Sequence, residues 1–323
     1  APDAVVPRVG DVQDPVEPDG DPEGSGELRL GGRPAVAAHA GCAYAGNRGD
    51  DTVRRDLAHA VRLIGDVKDL EHLRHVFGKY KPQIVFHAAA YKHVPLMEVG
   101  NASAALRNNT LGAYHAYLAA ASCGAERFVL ISTDKAVNPT NVMGATKRAA
   151  ELVVSHVSVD NPGTKFIAVR FGNVLGSSGS VIPKFKSQIA HGGPITVTHP
   201  DVTRYFMTIP EASRLVIQAA VIGETGQVFV LEMGEPVRIA DLAMAMIRLG
   251  GRSSQDVKVV YTGLRPGEKL FEELLASSDE TLPTRFDSLR IARLQPGVDL
   301  PDLANWIRKM LLVRSEAAEQ EVR

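Results

Sequence analysis

Cysteine is scarce in this sequence, and the two cysteines present do not form a recognisable site. Cys42 and Cys123 have neither a metal-ligand spacing nor the pattern of a disulfide framework. Such low cysteine usage is typical of proteins from a reducing compartment. The sequence therefore predicts no metal site, no structural disulfide and a cytoplasmic location.

Long apolar runs and an excess of charge of one sign are also absent. No run of about 18 apolar residues occurs, so no segment of this chain is predicted to span a bilayer. The formal net charge of −1 gives no electrostatic reason to expect nucleic acid or an anionic membrane as a partner. A hydrophobic content of 45% and a length of 323 residues fit a large α/β domain with a smaller partner domain.

The beginning of the chain lacks the pattern that opens a dinucleotide-binding domain. Such a domain starts with a strand, a glycine-rich turn and a helix whose N-terminus holds a pyrophosphate. Residues 1–34 are instead rich in Pro, Gly, Asp and Glu, and they bury too little apolar surface to offset their ordering entropy. The glycines between positions 24 and 49 have the wrong spacing for the turn. Residues 1–56 are therefore predicted to be an atypical, poorly ordered leader.

Three explanations for this beginning stay open. The start is divergent, or it is a gene-model artefact such as a shifted reading frame, or the first βαβ unit is lost. Because the chain starts at Ala1 and not at Met, we also expect it to be a piece of a longer protein. A lost first strand would leave the strand at 84–86 without a hydrogen-bonded neighbour and with an exposed edge.

From residue 61 onward, short apolar runs alternate with helical patterns, as in an open parallel sheet. Strands are predicted at 61–64, 84–86, 128–131, 166–170 and 228–231. Helices are predicted at 70–80, 101–122, from 143, and at 181–191, 239–249 and 302–312. Asn108, Asn109 and Thr110 are costly inside the second of these helices.

The most informative stretch runs from residue 127 to residue 151. The apolar run at 128–131 is followed at once by Ser132, Thr133, Asp134 and Lys135. Ligands of open α/β sheets bind at the carboxyl ends of the strands, so these polar side chains are well placed for chemistry. The alternative is an ordinary βα unit whose polar residues only cap the following helix.

The segment STDKAVNPTNVMGATK (132–147) resembles the active-site segment of the nucleotide-sugar 4,6-dehydratases of polysaccharide biosynthesis. These enzymes, of the UDP-N-acetylglucosamine 4,6-dehydratase type, belong to the extended short-chain dehydrogenase/reductase superfamily. Most of that superfamily has Tyr-x-x-x-Lys where this chain has Met143 and Lys147. The Met variant is similar to the larger, membrane-anchored branch, so we expect a cytoplasmic protein or the cytoplasmic domain of a membrane-anchored parent.

The resemblance covers residues 57–315 and includes two further motifs, TRYFM (203–207) and LRPGEK (264–269). It implies a Rossmann-like, doubly wound parallel sheet with a smaller C-terminal substrate-binding lobe, the first βαβ unit being atypical or missing. The implied domains are an NAD-binding domain at 57–178 with returning segments at 203–235, a substrate-binding lobe at 179–202 and 236–315, and a tail at 316–323.

The resemblance implies NAD as the cofactor and a UDP-sugar as the substrate. The implied cofactor-binding residues are Asp66, Val67, Ala88, Ala89, Ala90, Lys92, Asn109 and Lys147. Asp66 would accept from the adenine amine, although it is also a candidate N-cap for the helix at 70–80. Asn109 would interrupt its helix and support Lys147 through water, and Lys147 would hold the nicotinamide ribose.

The implied substrate-binding residues are His93, Asn173, Lys184, Arg204, Arg265 and Glu268. Arg265 suits a diphosphate as a bidentate donor, and Glu268 suits the ribose hydroxyls. Lys184 follows a Gly/Ser-rich junction and either serves the diphosphate or is a solvated lysine beside a linker. Arg204 is expected at the nucleotide end of the substrate.

The implied catalytic residues are Thr133, Asp134, Lys135, Met143 and Lys147. The family oxidises C4 of a UDP-N-acetylhexosamine, removes water from C5 and C6, and reduces C6, with hydride held by NAD between the two redox steps. Oxidation at C4 makes the C5 proton acidic enough for a side-chain base. We expect Lys135 to be this base, partly desolvated and beside other cations, with Asp134 as the acid at C6. Thr133 would hydrogen-bond the C4 hydroxyl.

Met143 leaves the base for C4 oxidation open, because a thioether cannot take a proton. Lys147, Asp134 or a water is the candidate. Two other functions also stay open: a nucleotide-sugar 4-epimerase, which the Asp134 and Lys135 pair disfavours, and a catalytically impaired nucleotide-sugar-binding remnant, because no glycine fingerprint is recognisable. A homo-oligomer is expected in each case.

Overall fold

The computed structural model describes residues 36–39, 61–177, 179–273 and 281–292, together with Asn305, Trp306 and Lys309. Most of the helix predicted at 302–312 and all the glycines considered for the phosphate turn lie outside these ranges. No helix within the described ranges is long and apolar enough to cross a bilayer.

The strands lie close to the predicted apolar runs, with shorter strands added between them. The described strands are β1 (Val36–His39), β2 (Val61–Ile64), β3 (Ile84–His87), β4 (Arg127–Ile131), β5 (Lys165–Arg170), β6 (Asn173–Val174), β7 (Ile195–Val197), β8 (Thr203–Arg204), β9 (Phe206–Met207), β10 (Gln227–Leu231), β11 (Val237–Arg238), β12 (Val259–Tyr261), β13 (Thr281–Pro283) and β14 (Leu289–Ala292).

Most of the helices follow the predicted periodicity, while α2 and α7 were not predicted. The described α-helices are α1 (Leu70–Tyr80), α2 (Val94–Glu98), α3 (Ala102–Leu106), α4 (Gly112–Ser122), α5 (Val142–Ser158), α6 (Val181–Ala190), α7 (Ile209–Ile222) and α8 (Ile239–Leu249). A π-helical segment (Arg107–Leu111) joins α3 to α4, and a 3₁₀ turn (Asp134–Ala136) follows β4. The single helix predicted at 101–122 is therefore interrupted where the costly Asn-Asn-Thr sequence lies.

Six strands form one mixed sheet in the order β13-β14-β10-β5-β4-β3. The four strands from β10 to β3 are parallel, while β14 runs antiparallel to both β10 and β13. Successive residues of each strand point to opposite faces of the sheet. Phe128 and Leu130 of β4 pack with α1, α4 and α5, and Val129 packs with α7 on the other face. The doubly wound α/β fold predicted from the sequence is confirmed.

β1 and β2 pair in parallel as a separate two-stranded sheet. β1 lies inside the leader that the sequence predicts to be poorly ordered, and the poor order of that leader stays a prediction. Within the described residues, β3 is hydrogen-bonded only to β4, and the side chain of Phe86 is 44% exposed. This agrees with the expectation that the strand at 84–86 has an open edge.

A third apolar cluster lies apart from the two sheet faces. It is built from segments at 181–202 and 239–257, with Phe185, Ile195 and Ile247 almost fully buried. The predicted substrate-binding lobe contains both segments. The domain boundaries themselves stay a prediction.

A buried ion pair ties the carboxyl ends of β4 and β5 to α5. Arg170 Nε and Nη2 donate to the two carboxylate oxygens of Glu151 at 2.9 and 2.7 Å. Ser132 Oγ and Arg148 Nη1 also donate to this carboxylate, at 2.5 and 3.1 Å. Burial raises the pKa of Glu151, but the charge and hydrogen bonds of Arg170 outweigh it, so the pKa is lowered.

We predict that Glu151→Gln lowers the free energy of unfolding by about 3–5 kcal/mol, because it removes the buried negative charge that the Arg170 guanidinium faces. Urea unfolding at pH 7 measures the change. Glu224→Gln is the matched control: Glu224 pairs with Lys165 in a solvent-exposed ion pair, so its unfolding midpoint should hardly move. Equal losses in the two variants would contradict the prediction.

Candidate active site

Three polar segments meet at the carboxyl edge of the parallel strands. Ala88 to Lys92 follow β3, Ser132 to Lys135 follow β4, and Phe171 to Asn173 follow β5. The parallel register of β3, β4 and β5 brings these segments together. Asp134 N donates to the Phe171 carbonyl at 3.1 Å, which fixes the second segment against the third.

Asp134 and Lys135 form an ion pair at this edge. Lys135 Nζ lies 2.9 Å from Asp134 Oδ1, and Thr133 Oγ1 donates to the same oxygen at 2.8 Å. Asp134 is 1% exposed, and its Oδ2 atom is buried with no hydrogen-bond partner among the described residues. One oxygen of this carboxylate therefore holds Lys135, and the other is buried without a partner in the described part of the chain.

The surroundings of Lys135 differ from the expected ones. We expected neighbouring cations, but Nζ lies between two carboxylates, 2.9 Å from Asp134 Oδ1 and 3.5 Å from Glu272 Oε1. Asn173 Oδ1 is a third neighbour at 3.5 Å. Of the expected cations, Arg204 lies beside the same Glu272 oxygen, with Nε 3.8 Å from it, while no sequence pattern marked Glu272 itself.

The first turn of α5 packs directly on the 3₁₀ turn that carries Lys135. A Cβ atom on Gly144 would lie 2.1 Å from the Lys135 carbonyl oxygen, so this close approach requires glycine. Asn141 caps the helix by accepting from Gly144 N at 2.8 Å, and Glu98 Oε1 accepts from Val142 N at 2.7 Å. No role was predicted for Gly144 or Glu98 from the sequence.

Met143, which stands where the superfamily has tyrosine, is a core residue. Its side chain is 6% exposed and packs with Met97 and Ala105. It is not among the residues that line the cavity described below. The prediction that Met143 is a catalytic residue therefore gains no support from its position, and its observed contribution is packing.

Lys147 lies one turn further along α5 and is 4% exposed. Its Nζ atom has no hydrogen-bond partner within the described ranges. Burial lowers the pKa of Lys147 to about 8, although the charge of Glu151 acts in the opposite direction. His87 at the end of β3 is also buried, and burial together with the Lys147 charge lowers its pKa to about 3. This imidazole is therefore neutral at physiological pH.

Asn109 lies in the π-helical segment and connects two parts of the site. Its Oδ1 accepts from Tyr91 N at 2.7 Å, and its Nδ2 donates to Tyr91 O at 3.1 Å and to Thr146 Oγ1 at 3.0 Å. The predicted interruption of the helix is present. The Asn109 amide is hydrogen-bonded both to the segment after β3 and to the residue before Lys147, so Asn109 positions both.

The remaining residues predicted for the cofactor lie at the ends of β2 and β3. Val67 is buried, Asp66 is half exposed and accepts from Lys68 N at 2.9 Å, and Ala88 to Ala90 follow β3. Asp66 does not cap α1, because Asp69 does so by accepting from His72 N at 3.0 Å. The alternative that made Asp66 the N-cap is therefore wrong. Lys92 lines the cavity instead.

A cavity of about 300 Å³ lies beside this edge. All six residues predicted to bind substrate line it, namely His93, Asn173, Lys184, Arg204, Arg265 and Glu268. Lys92, Lys135 and Glu272 line it too, whereas Thr133, Asp134 and Lys147 are not among its lining residues. Five Lys and Arg side chains against two Glu make the lining strongly cationic, which suits a phosphorylated ligand.

Arg204 and Arg265 are held differently at this cavity. Arg204 is 7% exposed and donates to the backbone carbonyls of Thr203, Lys269 and Leu270, which fixes the segment of the LRPGEK motif. Arg265 is half exposed and lies 3.3 Å from Glu268 Oε2. Arg265 is therefore free to turn toward a ligand, while Arg204 is mainly committed to the fold.

No group of three or more His, Cys, Asp and Glu side chains in the described part of the chain could hold a metal ion.

A family model described as polysaccharide biosynthesis protein matches residues 47–294. The chain belongs to this family. The capsular polysaccharide biosynthesis protein CapD of Staphylococcus aureus is 57% identical over 219 residues, which cover 68% of this chain and 36% of that protein. The inverting UDP-N-acetylglucosamine 4,6-dehydratase of Campylobacter jejuni serotype O:23/36 is 33% identical over 243 residues, 74% of this chain and 69% of that protein.

The chain thus spans little more than a third of CapD. Its fold is similar to that of the dTDP-glucose 4,6-dehydratase DesIV of Streptomyces venezuelae, solved with NAD and TYD bound. That likeness has a TM-score of 0.62 at 19% identity and covers 83% of this chain and 85% of DesIV. It supports the Rossmann-like fold, and the family resemblance drawn from the three sequence motifs is confirmed.

The low pKa of Lys147 predicts a pH-dependent stability term. Between pH 8 and 10.5 the unfolded chain holds a proton on this lysine that the folded chain lacks, so stability rises with pH by about 3 kcal/mol across the window. Below pH 8 both states are protonated and this term is constant.

Lys147→Met should remove the rise, as measured by urea unfolding at several pH values. Lys186→Met, at an exposed lysine of α6, is the control. A pH-independent difference between wild type and Lys147→Met would contradict the prediction.

Proposed function

We propose that this chain catalyses the NAD-dependent dehydration of a UDP-N-acetylhexosamine, of the UDP-N-acetylglucosamine 4,6-dehydratase type, to a 4-keto-6-deoxy sugar nucleotide for surface polysaccharide synthesis. The observation that carries the proposal is the Asp134 and Lys135 pair beside a cationic cavity. Elimination of water needs both a base and an acid, whereas epimerisation at C4 needs only oxidation and return of hydride. The 33% identity to a dehydratase of this specificity is further support.

NAD is the cofactor in this proposal, and the surroundings of Lys147 suit it. Lys147 Nζ is buried with no partner among the described residues, as expected of a donor that waits for ribose hydroxyls. Asp66 and Val67 would serve the adenine, and Ala88 to Ala90 would allow close approach to the backbone. When bound, NAD takes up a hydride from the sugar and returns it.

The cavity accounts for the rest of the substrate. Arg265 and Lys184 would hold the diphosphate, and Glu268 would accept from the ribose hydroxyls. Burial and the nearby Arg265 lower the pKa of Lys184. A bound phosphate would stabilise the ammonium form of this side chain and so act against both effects. Asn173 lies beside Lys135, so the hexose is expected at this end of the cavity, near His93.

A single proton transfer within the Asp134 and Lys135 ion pair would produce both the acid and the base. Moving a proton from the Lys135 ammonium to Asp134, over the 2.9 Å that joins them, gives a neutral amine and a carboxylic acid. The amine takes the C5 proton, and the acid protonates the departing C6 hydroxyl. Elimination therefore restores the starting ion pair. Thr133 would hydrogen-bond the C4 hydroxyl, and the C4 proton is left to Lys147, Asp134 or a water.

The test is incubation of the purified chain with NAD and UDP-N-acetylglucosamine. A 4-keto product that absorbs in strong alkali supports the dehydratase, and conversion to the C4 epimer without that absorbance supports an epimerase. Tight UDP-sugar binding without either product supports a binding remnant. Formation of a homo-oligomer and a cytoplasmic location stay predictions, which sedimentation and fractionation can check.

Lys135→Ala should abolish the entry of solvent deuterium at C5, because the amine that exchanges this proton is gone. Affinity for the UDP-sugar should stay within about tenfold, or about 1.4 kcal/mol, since most of the cavity lining is unchanged. Lys186→Ala, at an exposed lysine outside the cavity lining, is the control and should keep wild-type exchange. Unchanged deuterium entry in Lys135→Ala would remove Lys135 from the role of base.

A further inference from the structure

A second buried carboxylate lies against the Lys135 amine. Glu272 is 7% exposed, and its Oε1 atom is 3.5 Å from Lys135 Nζ and 3.8 Å from Arg204 Nε. It follows the LRPGEK motif by three residues and lines the cavity. Neither the sequence motifs nor the catalytic scheme above assigns it a role.

The hydrogen bonding of Glu272 differs from that of a purely structural carboxylate. Both oxygens of Glu151 accept charge-assisted hydrogen bonds, as expected where a buried carboxylate stabilises the fold. Glu272 Oε2 is equally hidden from solvent, but it has no hydrogen-bond partner in the ranges that the structure describes. Buried polar atoms are nearly always paired, so such an exception beside a cavity points to a ligand.

The charges around Glu272 show what its carboxylate does to Lys135. Lys135 and Arg204 both approach the same oxygen of Glu272, so its negative charge separates two cations that would otherwise repel each other. Without that charge, Lys135 Nζ would keep only Asp134 and the amide oxygen of Asn173 as partners. The direction of the amine therefore depends on Glu272.

We propose that Glu272 is a positioning residue for the elimination step. Its charge holds the Lys135 amine at the hexose end of the cavity, and Oε2 accepts a hydrogen bond from the bound sugar nucleotide. This inference rests on the proposed dehydratase activity.

In the elimination, the Lys135 amine forms an N–H bond as the C5–H bond breaks. The electrons of that bond form the C5=C6 double bond as the C6–O bond breaks, and the departing oxygen takes the proton held by Asp134. Positive charge develops on Lys135 during this step, and the fixed Glu272 carboxylate stabilises it.

Glu272→Gln keeps the shape of the side chain and removes its charge. We expect kcat and the rate of deuterium entry at C5 to fall at least about tenfold, as for loss of one preorganised electrostatic contact. The Kd for the UDP-sugar, measured calorimetrically, should change by no more than about threefold. Glu273→Gln is the matched control: the neighbouring carboxylate pairs with Lys269 and Asn138, lies outside the cavity lining, and should leave all three quantities unchanged.

A second measurement needs neither substrate nor turnover. The rate of reductive methylation of Lys135, followed by mass spectrometry of its peptide, reports the surroundings of the amine, with exposed Lys186 as the internal reference. Glu272→Gln removes one of the two carboxylates that hold the amine, so it should speed the labelling of Lys135 relative to Lys186.

Wild-type kcat and C5 exchange in Glu272→Gln would overturn the inference. So would a loss of rate accompanied by an equal loss of UDP-sugar binding, because Glu272 would then only hold the segment that carries Arg265 and Glu268. A wild-type chain that yields no 4-keto product contradicts the proposed function separately. In that case a changed labelling rate still supports the positioning of Lys135 by Glu272, and an unchanged rate contradicts it.

Discussion

The packing of the first turn of α5 on the Lys135 carbonyl is the constraint on which the site depends. Because Gly144 has no Cβ, the helix can lie directly on the turn that carries Asp134 and Lys135. The same helix carries Lys147 one turn later, so one contact sets the distance between the Asp134 and Lys135 ion pair and the buried Lys147 amine. Asn141 and Glu98 hold the helix start, and the Glu151 and Arg170 pair holds its next turn against the strand ends.

The site therefore has two kinds of buried charge. Behind the strand ends, Glu151 has both oxygens bonded and stabilises the position of α5. Around the strand ends, Asp134 Oδ2, Lys147 Nζ and Glu272 Oε2 are buried without partners in the described ranges, and of these three residues only Glu272 lines the cavity. Unsatisfied buried atoms cost free energy, and their concentration at one edge is what a site arranged for a polar ligand requires.

Much of this arrangement follows from local sequence. The apolar runs predicted the four parallel strands of the main sheet within a residue or two, although not β13 and β14, and the helix predicted at 239–249 has the observed bounds of α8. The residues chosen for the substrate converge on one cavity because parallel strands deliver their carboxyl ends to the same edge. The Asn-Asn-Thr sequence marked the helix interruption because its helix propensity is low.

The features that the sequence did not indicate are two contacts between distant parts of the chain and one local choice of helix cap. The carboxylate of Glu272 reaches Lys135 from more than a hundred positions away, and nothing in the local pattern around either residue announces the pair. The N-cap of α1 is Asp69, three residues after Asp66. Both residues are aspartates, so residue type alone does not show which of them caps the helix. The strand at 36–39 was missed because its pairing with β2 is also non-local.

The π-helical segment between α3 and α4 changes the direction in which the side chains after it point. An i to i+5 turn inserts one residue relative to a continuous α-helix, which rotates later side chains by roughly 100° about the axis. With this rotation, Asn109 points to Tyr91 while Ala116, Tyr117 and Ala120 of α4 are still buried in the apolar cluster on one face of the sheet. One inserted residue thus lets a single stretch of helix place a hydrogen-bonding side chain at one end and an apolar packing surface at the other, which a continuous α-helix would direct differently.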